Sequence, residues 1–414
     1  MTIKTNAMLL LAGLESSPNT DPTLTTADAV PTGKFLPGYN FQELQRLIVN
    51  KGIDAAKKLI GRETIDFVFE TELMASGTVG VAPVWGKLLE ACGFTKSALA
   101  VAAIEDPIDG YENTGLTGLA VAKGGAFTGT SPRIYKITIT TGGASGVAEA
   151  SVTCIKDATQ DSVENTVTTA TPINLGDEGA TITFTFASGN LVEGDCWYVY
   201  CYPPGIRYRP TAGVGGTWKT IFFYHYLGGL LFKGGGAMGN VTLPAPAGEI
   251  AKLSFDFKSV FSAITDAAVP DHDFGSRVPE IVEQADLHVD SDNTLVVENI
   301  TVESNNTITE KRNVNATQGI ENFRITARDN QFAIDPEAKT EAEFAFWEKL
   351  RSRIEIPISF KVGATPGNIV HVQIRRAVFD ALGPSDQDDT LRYGITGQCR
   401  PTIAGNDNIE FFVC

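Results

Sequence analysis

The sequence predicts a mainly β protein: two related β domains, each with one flanking α-helix, plus an inserted immunoglobulin-like β-sandwich. Three observations point there. Residues 129–205 hold short runs in which apolar and polar residues alternate (IYKITIT, ASVTCI, ATITFTF, CWYVYCY), the period that puts one face of a strand inside. Glycine is frequent, at 41 of 414 residues, and Thr and Val are plentiful. β-branched side chains suit a pleated surface, and glycine serves its turns and bulges. The length is large for a single core and implies two or three domains.

Taken in order, residues 1–64 are mixed, with turns at Asp21-Pro22-Thr23 and Pro31-Thr32-Gly33. Residues 41–60 fit either a short helix or a long loop, because Leu44, Leu47, Ile48 and Ile53 are only partly helical in spacing. Ile65, Phe67 and Phe69 alternate with Asp66, Val68 and Glu70, which is a strand. Residues 83–92 read as a short amphipathic helix: Pro83 opens it, Trp85, Leu88, Leu89 and Cys92 form its stripe, and Gly93 stops it. The sandwich follows at 129–205, its strands separated by Gly142-Gly143, Asp177-Glu178-Gly179 and Ser188-Gly189-Asn190, and closed by Pro203-Pro204-Gly205. Longer strands occupy 217–261, a Pro- and Asp-rich linker 262–285, and strands resume from Asp286 around a helix at about 340–353.

The second half echoes the first. Gly61-Arg62-Glu63-Thr64-Ile65-Asp66-Phe67 compares with Gly319-Ile320-Glu321-Asn322-Phe323-Arg324-Ile325, and Trp85-Gly86-Lys87-Leu88 with Trp347-Glu348-Lys349-Leu350. GNVTL and KLSFDF then compare with GNIVHVQI and LRYGIT. The domain limits expected are 1–128 with 206–278 for the first unit, 129–205 for the insertion and 279–414 for the second. A duplicated unit can replace two subunits of a ring, so three chains would imitate six.

Charge and composition narrow the function. A net charge of −16 argues against gripping nucleic-acid phosphates, which needs clustered Lys and Arg, although it suits a wall that DNA slides past. No apolar run reaches the ~20 residues of a membrane helix. Residues 7–14, after Lys4, are the one signal-like stretch, without a small-residue cleavage site. Cys92, Cys154, Cys196, Cys201, Cys399 and Cys414 are scattered. Cys196 and Cys201, five apart on one strand, face opposite sides, so reduced thiols are expected.

No catalytic set emerges, and no catalytic, cofactor or metal residue is assigned. Gly234-Gly235-Gly236-Ala237-Met238-Gly239 fits a dinucleotide fingerprint, but a strand and turn follow where a helix is needed. His225, His272, His288 and His371 lack metal spacing. Asp271-His272-Asp273 and Asp290-Ser291-Asp292 lack the rest of a calcium loop and read as solvated acids. Asn240, Asn299, Asn305 and Asn315 each begin an acceptor tripeptide for glycosylation, a pattern common by chance. Trp85 and Trp347 sit on helix stripes and read as core anchors.

The stretch Leu9–Val30 resembles the opening of tail tube proteins from long-tailed bacteriophages. So do Phe69-Glu70-Thr71-Glu72-Leu73, Ser76-Gly77-Thr78-Val79-Gly80 and the run from Pro83 to Phe94. Tyr208-Arg209-Pro210, Tyr226 to Lys233, Gly239 to Leu243 and Lys252 to Phe257 resemble the hairpins that follow in that family. Ile334 to Glu337, Phe346 to Leu350, Gly367 to Val370 and Thr390 to Tyr393 resemble the C-terminal half of its larger members. The resemblance covers nearly the whole chain except 129–205, and residues 41–60 depart from the pattern, where an inter-ring loop is expected.

The resemblance implies tail-tube-type β-sandwich or barrel domains whose sheets join around a ring, and rings that stack into a hollow tube. It implies self-association, a tape-measure protein during assembly, tail terminator and distal tail proteins at the tube ends, and DNA passing without specific binding. It also implies synthesis in the host cytoplasm, residence in the virion tail, no membrane partner, no cofactor and no enzyme activity. An adhesin-type binding protein, or the tube of a type VI secretion or tailocin device, stands as the alternative.

Overall fold

The computed structural model describes residues 7–46, 57–111, 113–212, 218–275, 278–290 and 294–414, with residues 5 and 292. Lys4, Thr217, Ser291 and residues 47–56 of the stretch read as helix or loop lie outside the described residues. The protein is mainly β, with antiparallel sheets and two short α-helices among the described residues, Gly86–Ala91 (α1) and Phe346–Arg351 (α2).

Among the described residues sixteen strands join one sheet. In the first half the neighbours run Met8–Leu14, Ile221–Leu227, Leu230–Pro246, Lys252–Asp266, Leu59–Glu72, Gly38–Leu44. In the second half they run His288–Val289, Ile356–Val362, Val370–Gln387, Thr390–Arg400, Gln331–Pro336, Val297–Glu303. The two sets have the same order, the same chain connectivity and a helix at the same place. The repeat in the sequence therefore corresponds to a repeat of topology. Its register is different: Gly239 lies inside a strand, whereas Gly367 lies in the turn before one.

The halves are fused rather than separate. Thr242 to Pro246 pair with Glu303 to Asn299, which carries the sheet across the boundary. One core holds Phe67, Trp85 and Phe257 from the first half with Phe332, Phe360 and Ile395 from the second. The strand through Ile65, Phe67 and Phe69 buries those side chains and leaves Val68 exposed, as alternation requires.

Three expectations change, and the signal-like stretch finds its place. Of the stretch 41–60, read as helix or loop, residues 41–44 and 59–60 are the ends of two paired strands, Gly38–Leu44 and Leu59–Glu72, because cross-strand pairing satisfies their backbone. The linker at 262–285 starts later, since Lys252–Asp266 keeps pairing with Leu230–Pro246. The signal-like stretch is the strand Met8–Leu14, with Leu10 and Ala12 in the core. The sandwich begins near residue 103 rather than 129. Ala103–Ile104 and Ile108–Asp109 pair with Cys196–Tyr202, and Ala120–Gly125 pairs with Ala180–Thr185. These strands are short or Gly-rich, so their alternation is too brief to read.

The sandwich has two facing sheets. Ser162–Thr166, Glu149–Cys154, Arg133–Thr141 and Cys196–Tyr202 form the larger with the two short strands, and Pro172–Leu175 joins Ala180–Thr185 and Ala120–Gly125 in the smaller. Tyr135, Ile137, Ile182, Phe184, Trp197 and Val199 fill the space between them. The Phe184 and Trp197 rings meet edge to face, 5.0 Å apart.

Candidate assembly surface

The motifs singled out by sequence are structural. Gly234 to Gly239 lie within Leu230–Pro246, where the pairing register shifts between Gly235 and Met238 and Gly236 takes φ +59°. A Cβ at Gly235 would lie 2.5 Å from the Phe222 ring. The glycines thus serve a bulge and close layer packing. Glu15 holds the bulge by accepting from the Gly236 amide at 2.8 Å, and burial raises its pKa despite these bonds.

The four histidines lie apart. His225 is fully buried and stacks on Phe35 at 4.4 Å, His272 meets Phe274, and His288 bonds Asp286 at 3.0 Å. His371 sits beneath the sandwich. Among the described residues no group of His, Cys, Asp and Glu could hold a metal. Asp290 pairs with Lys349 at 3.0 Å and Asp292 with Lys339 at 2.8 Å, so these acids hold the fold together. The Asp273 carboxylate accepts from the Gly275 amide in a turn. Asn240 bonds the backbone of Asn306, and the six cysteines are unbridged. Trp85 is buried and donates Nε1–H to the Met74 carbonyl at 2.9 Å, while Trp347 is half-buried against Tyr393.

What stands out is an unmatched pair of arms. In each half, two strands before the helix extend as a hairpin. The second arm continues from Val297–Glu303 and Gln331–Pro336 into Asn306–Arg312 and Ile320–Arg328. It is covered: its outgoing strand pairs with Leu230–Pro246, and Ile320, Phe323 and Ile325 pack on Met238 and Val260 of the first half. The first arm, Gly38–Leu44 with Leu59–Glu72, pairs with Lys252–Asp266 from Thr64 inward and has no such cover over its outer part among the described strands. All seven residues of Gly38–Leu44 are exposed, including Tyr39, Phe41 and Leu44, and across from them Leu59 and Ile60 are exposed too. That strand pairs only with Leu59–Glu72, so among the described strands its other edge is open. An open edge carrying apolar side chains is what a chain covers unless a partner does.

The surface equivalent to the one that the second arm covers lies on the hairpin Val370–Gln387 and Thr390–Arg400. Ile356–Val362 pairs with Val370–Gln387 only as far as Ala377, so residues 378–387 have one unpaired edge among the described strands. This hairpin is acidic, with Asp380, Asp386, Asp388 and Asp389 exposed. The uncovered arm carries exposed Arg46, Lys57 and Lys58 together with exposed Glu43, which pairs with Lys58. Each of the two edges is thus open to a further strand.

The second feature is the seat of the sandwich. Ile134, Ile155, Tyr200 and Tyr202 share a cluster with Phe412 and Cys414 of the base. Beside it Glu105, at the entry to the sandwich, meets Arg207, Arg209 at 2.7 Å and Arg375. Arg209 and Arg375 also meet Glu410, and Arg375 lies 3.7 Å from Asp407. Arg375 rests over the Tyr200 ring, 4.5 Å from its centroid. Burial pushes the Glu105 pKa up, but the Arg375, Arg209 and Arg207 charges outweigh it and hold the carboxyl well below the usual range. Three arginines face three carboxylates, so the buried site is neutral. Sequence could not find it, because its members come from four distant segments.

No protein-family model and no curated protein sequence matches this chain.

Proposed function

We propose that this chain is a structural protein that assembles with copies of itself into rings, and that the rings stack into a hollow tube of the phage-tail type. The observation that carries the reading is the uncovered first arm beside its covered counterpart. Within one chain, the second arm extends the sheet of the first half. Between chains, the first arm adds its open edge to residues 378–387 of a neighbour and repeats the same contact. A head-to-tail contact that repeats in this way closes a ring, and three duplicated chains give a pseudo-sixfold one. Edge strands that are a liability in the monomer become joints in the ring. The motif order shared with tail tube proteins supports the same reading, as does an acidic composition for a conduit through which DNA passes unbound. In that setting the inserted sandwich decorates the exterior, and a tape-measure protein with terminator and distal proteins sets the length and ends.

Electron microscopy of the purified protein tests this. Hollow rings with threefold symmetry and six similar lobes are expected, alone or stacked. Sixfold rings of whole chains would overturn the arm-exchange argument, and discrete monomers at every salt and protein concentration would overturn the tube.

A further inference from the structure

A cavity of about 380 Å³ separates the sandwich from the base. Arg133 and Lys156 reach it from the sandwich, and Asp286, Lys361 and His371 from the base. Lys361 and His371 are directly opposed on adjacent antiparallel strands, so their side chains project from the same face of the sheet. A lysine and an imidazole in that position turn their hydrogen-bonding groups toward the same space.

The polar groups here are not satisfied by the protein. The Lys156 Nζ is buried without a hydrogen-bond partner, and both ring nitrogens of His371, itself 3% exposed, also lack one. Arg133 is already matched by Asp157 at 3.0 Å and Glu178 at 2.9 Å. Asp286, the carboxylate on the described wall, bonds His288 through Oδ1 and lies close enough to Lys156 and Lys361 to feel their charges, but hydrogen-bonds neither. A buried ammonium and imidazole with unused hydrogen-bonding groups, aimed into one cavity, lack an acceptor.

We propose that this cavity binds one small oxyanion of the phosphate or sulfate class, which bridges Lys156 of the sandwich to Lys361 and His371 of the base. The anion accepts from groups that the fold leaves unpaired, and so clamps the inserted sandwich onto the second half of the base. Burial pushes Lys156 down to about 8 and His371 well below its ordinary value. A bound anion reverses both effects by favouring the charged forms.

The full chain is titrated with inorganic phosphate at ionic strength held constant with sodium chloride, and binding is read by calorimetry and by melting temperature. Saturable binding at one site per chain is expected at pH 7, weakening as pH rises above 8 and Lys156 loses its proton. Lys156→Met and Lys361→Met are each expected to weaken it at least tenfold, and Lys123→Met, which does not line the cavity, to leave it unchanged. Lys361 lies on the base side of the cavity, so its variant decides the matter if Lys156→Met does not fold. No saturable effect beyond that of sodium chloride would overturn the proposal. So would unchanged phosphate affinity in a folded Lys361→Met variant.

Discussion

Replacing Glu105 by Gln keeps the shape of the side chain and removes one charge from the neutral site between sandwich and base. Glu105 is the one carboxylate that meets all three arginines, Arg207, Arg209 and Arg375. Its side chain is 14% exposed and that of Arg375 is 4% exposed, so water cannot take over the lost partner. Breaking a buried ion pair from one side costs about 3–5 kcal/mol, because the remaining charge stays desolvated. Unfolding entropy of about 2.1 cal/mol/K per residue over 414 residues turns a loss of about 4 kcal/mol into about 5 °C of melting temperature. Urea unfolding followed by fluorescence reads the free energy directly. Limited proteolysis reads the local effect, with new cleavage expected at the connections around residues 100–102 and 203–204. Asp106→Asn is the control: Asp106 is 87% exposed, pairs with Lys123 at 3.1 Å, and its loss should fall within about 0.5 kcal/mol. A Glu105→Gln loss below about 1 kcal/mol, indistinguishable from that control, would refute the view that this network seats the sandwich.

Other outcomes follow from single residues. Burial pushes His225 down to about 4 from an ordinary 6.5, so the unfolded chain binds a proton that the folded chain refuses between those values. The His225 contribution is full above pH 6.5 and falls by about 3 kcal/mol as pH drops to 4; His225→Leu should remove that share of the acid limb of a pH-stability curve, while buried His371 keeps its own. Phe41→Glu combined with Ile60→Glu should abolish rings in electron micrographs yet leave the monomer's unfolding midpoint unchanged, since both residues are exposed. Trp85→Ala should cost about 3–5 kcal/mol in urea unfolding, and Trp347→Ala less than half of that, because only Trp85 is fully enclosed. Gly86→Ala should cost about 1–3 kcal/mol, because its Cβ would lie 2.0 Å from the Tyr208 hydroxyl oxygen.

The class of the fold and much of its inventory were legible in the amino-acid order alone. Alternation at Ile65, Phe67 and Phe69 is a local property, and burial on one face of a strand enforces it. The stripe of Leu88 and Leu89 likewise announced α1, though the helix is shorter than its stripe, at Gly86–Ala91. The repeat was legible at the two tryptophans because helix and flanking strands recur in the same order, while the register between halves drifted. Only the tertiary structure decided the rest. Strands such as Ala103–Ile104 have too few residues to show a period, and pairing with Cys196–Tyr202 alone places them in the sandwich. The arm at Gly38–Leu44 looked irregular because no face of it is buried within the chain, so it bears none of the periodicity that a core imprints. Glu105 and Arg375 are 270 residues apart, and His371 and Lys156 lie on different bodies. Charge networks and cavities of this kind depend on which surfaces meet, and that is fixed by the closing of sheets over long distances rather than by any local pattern.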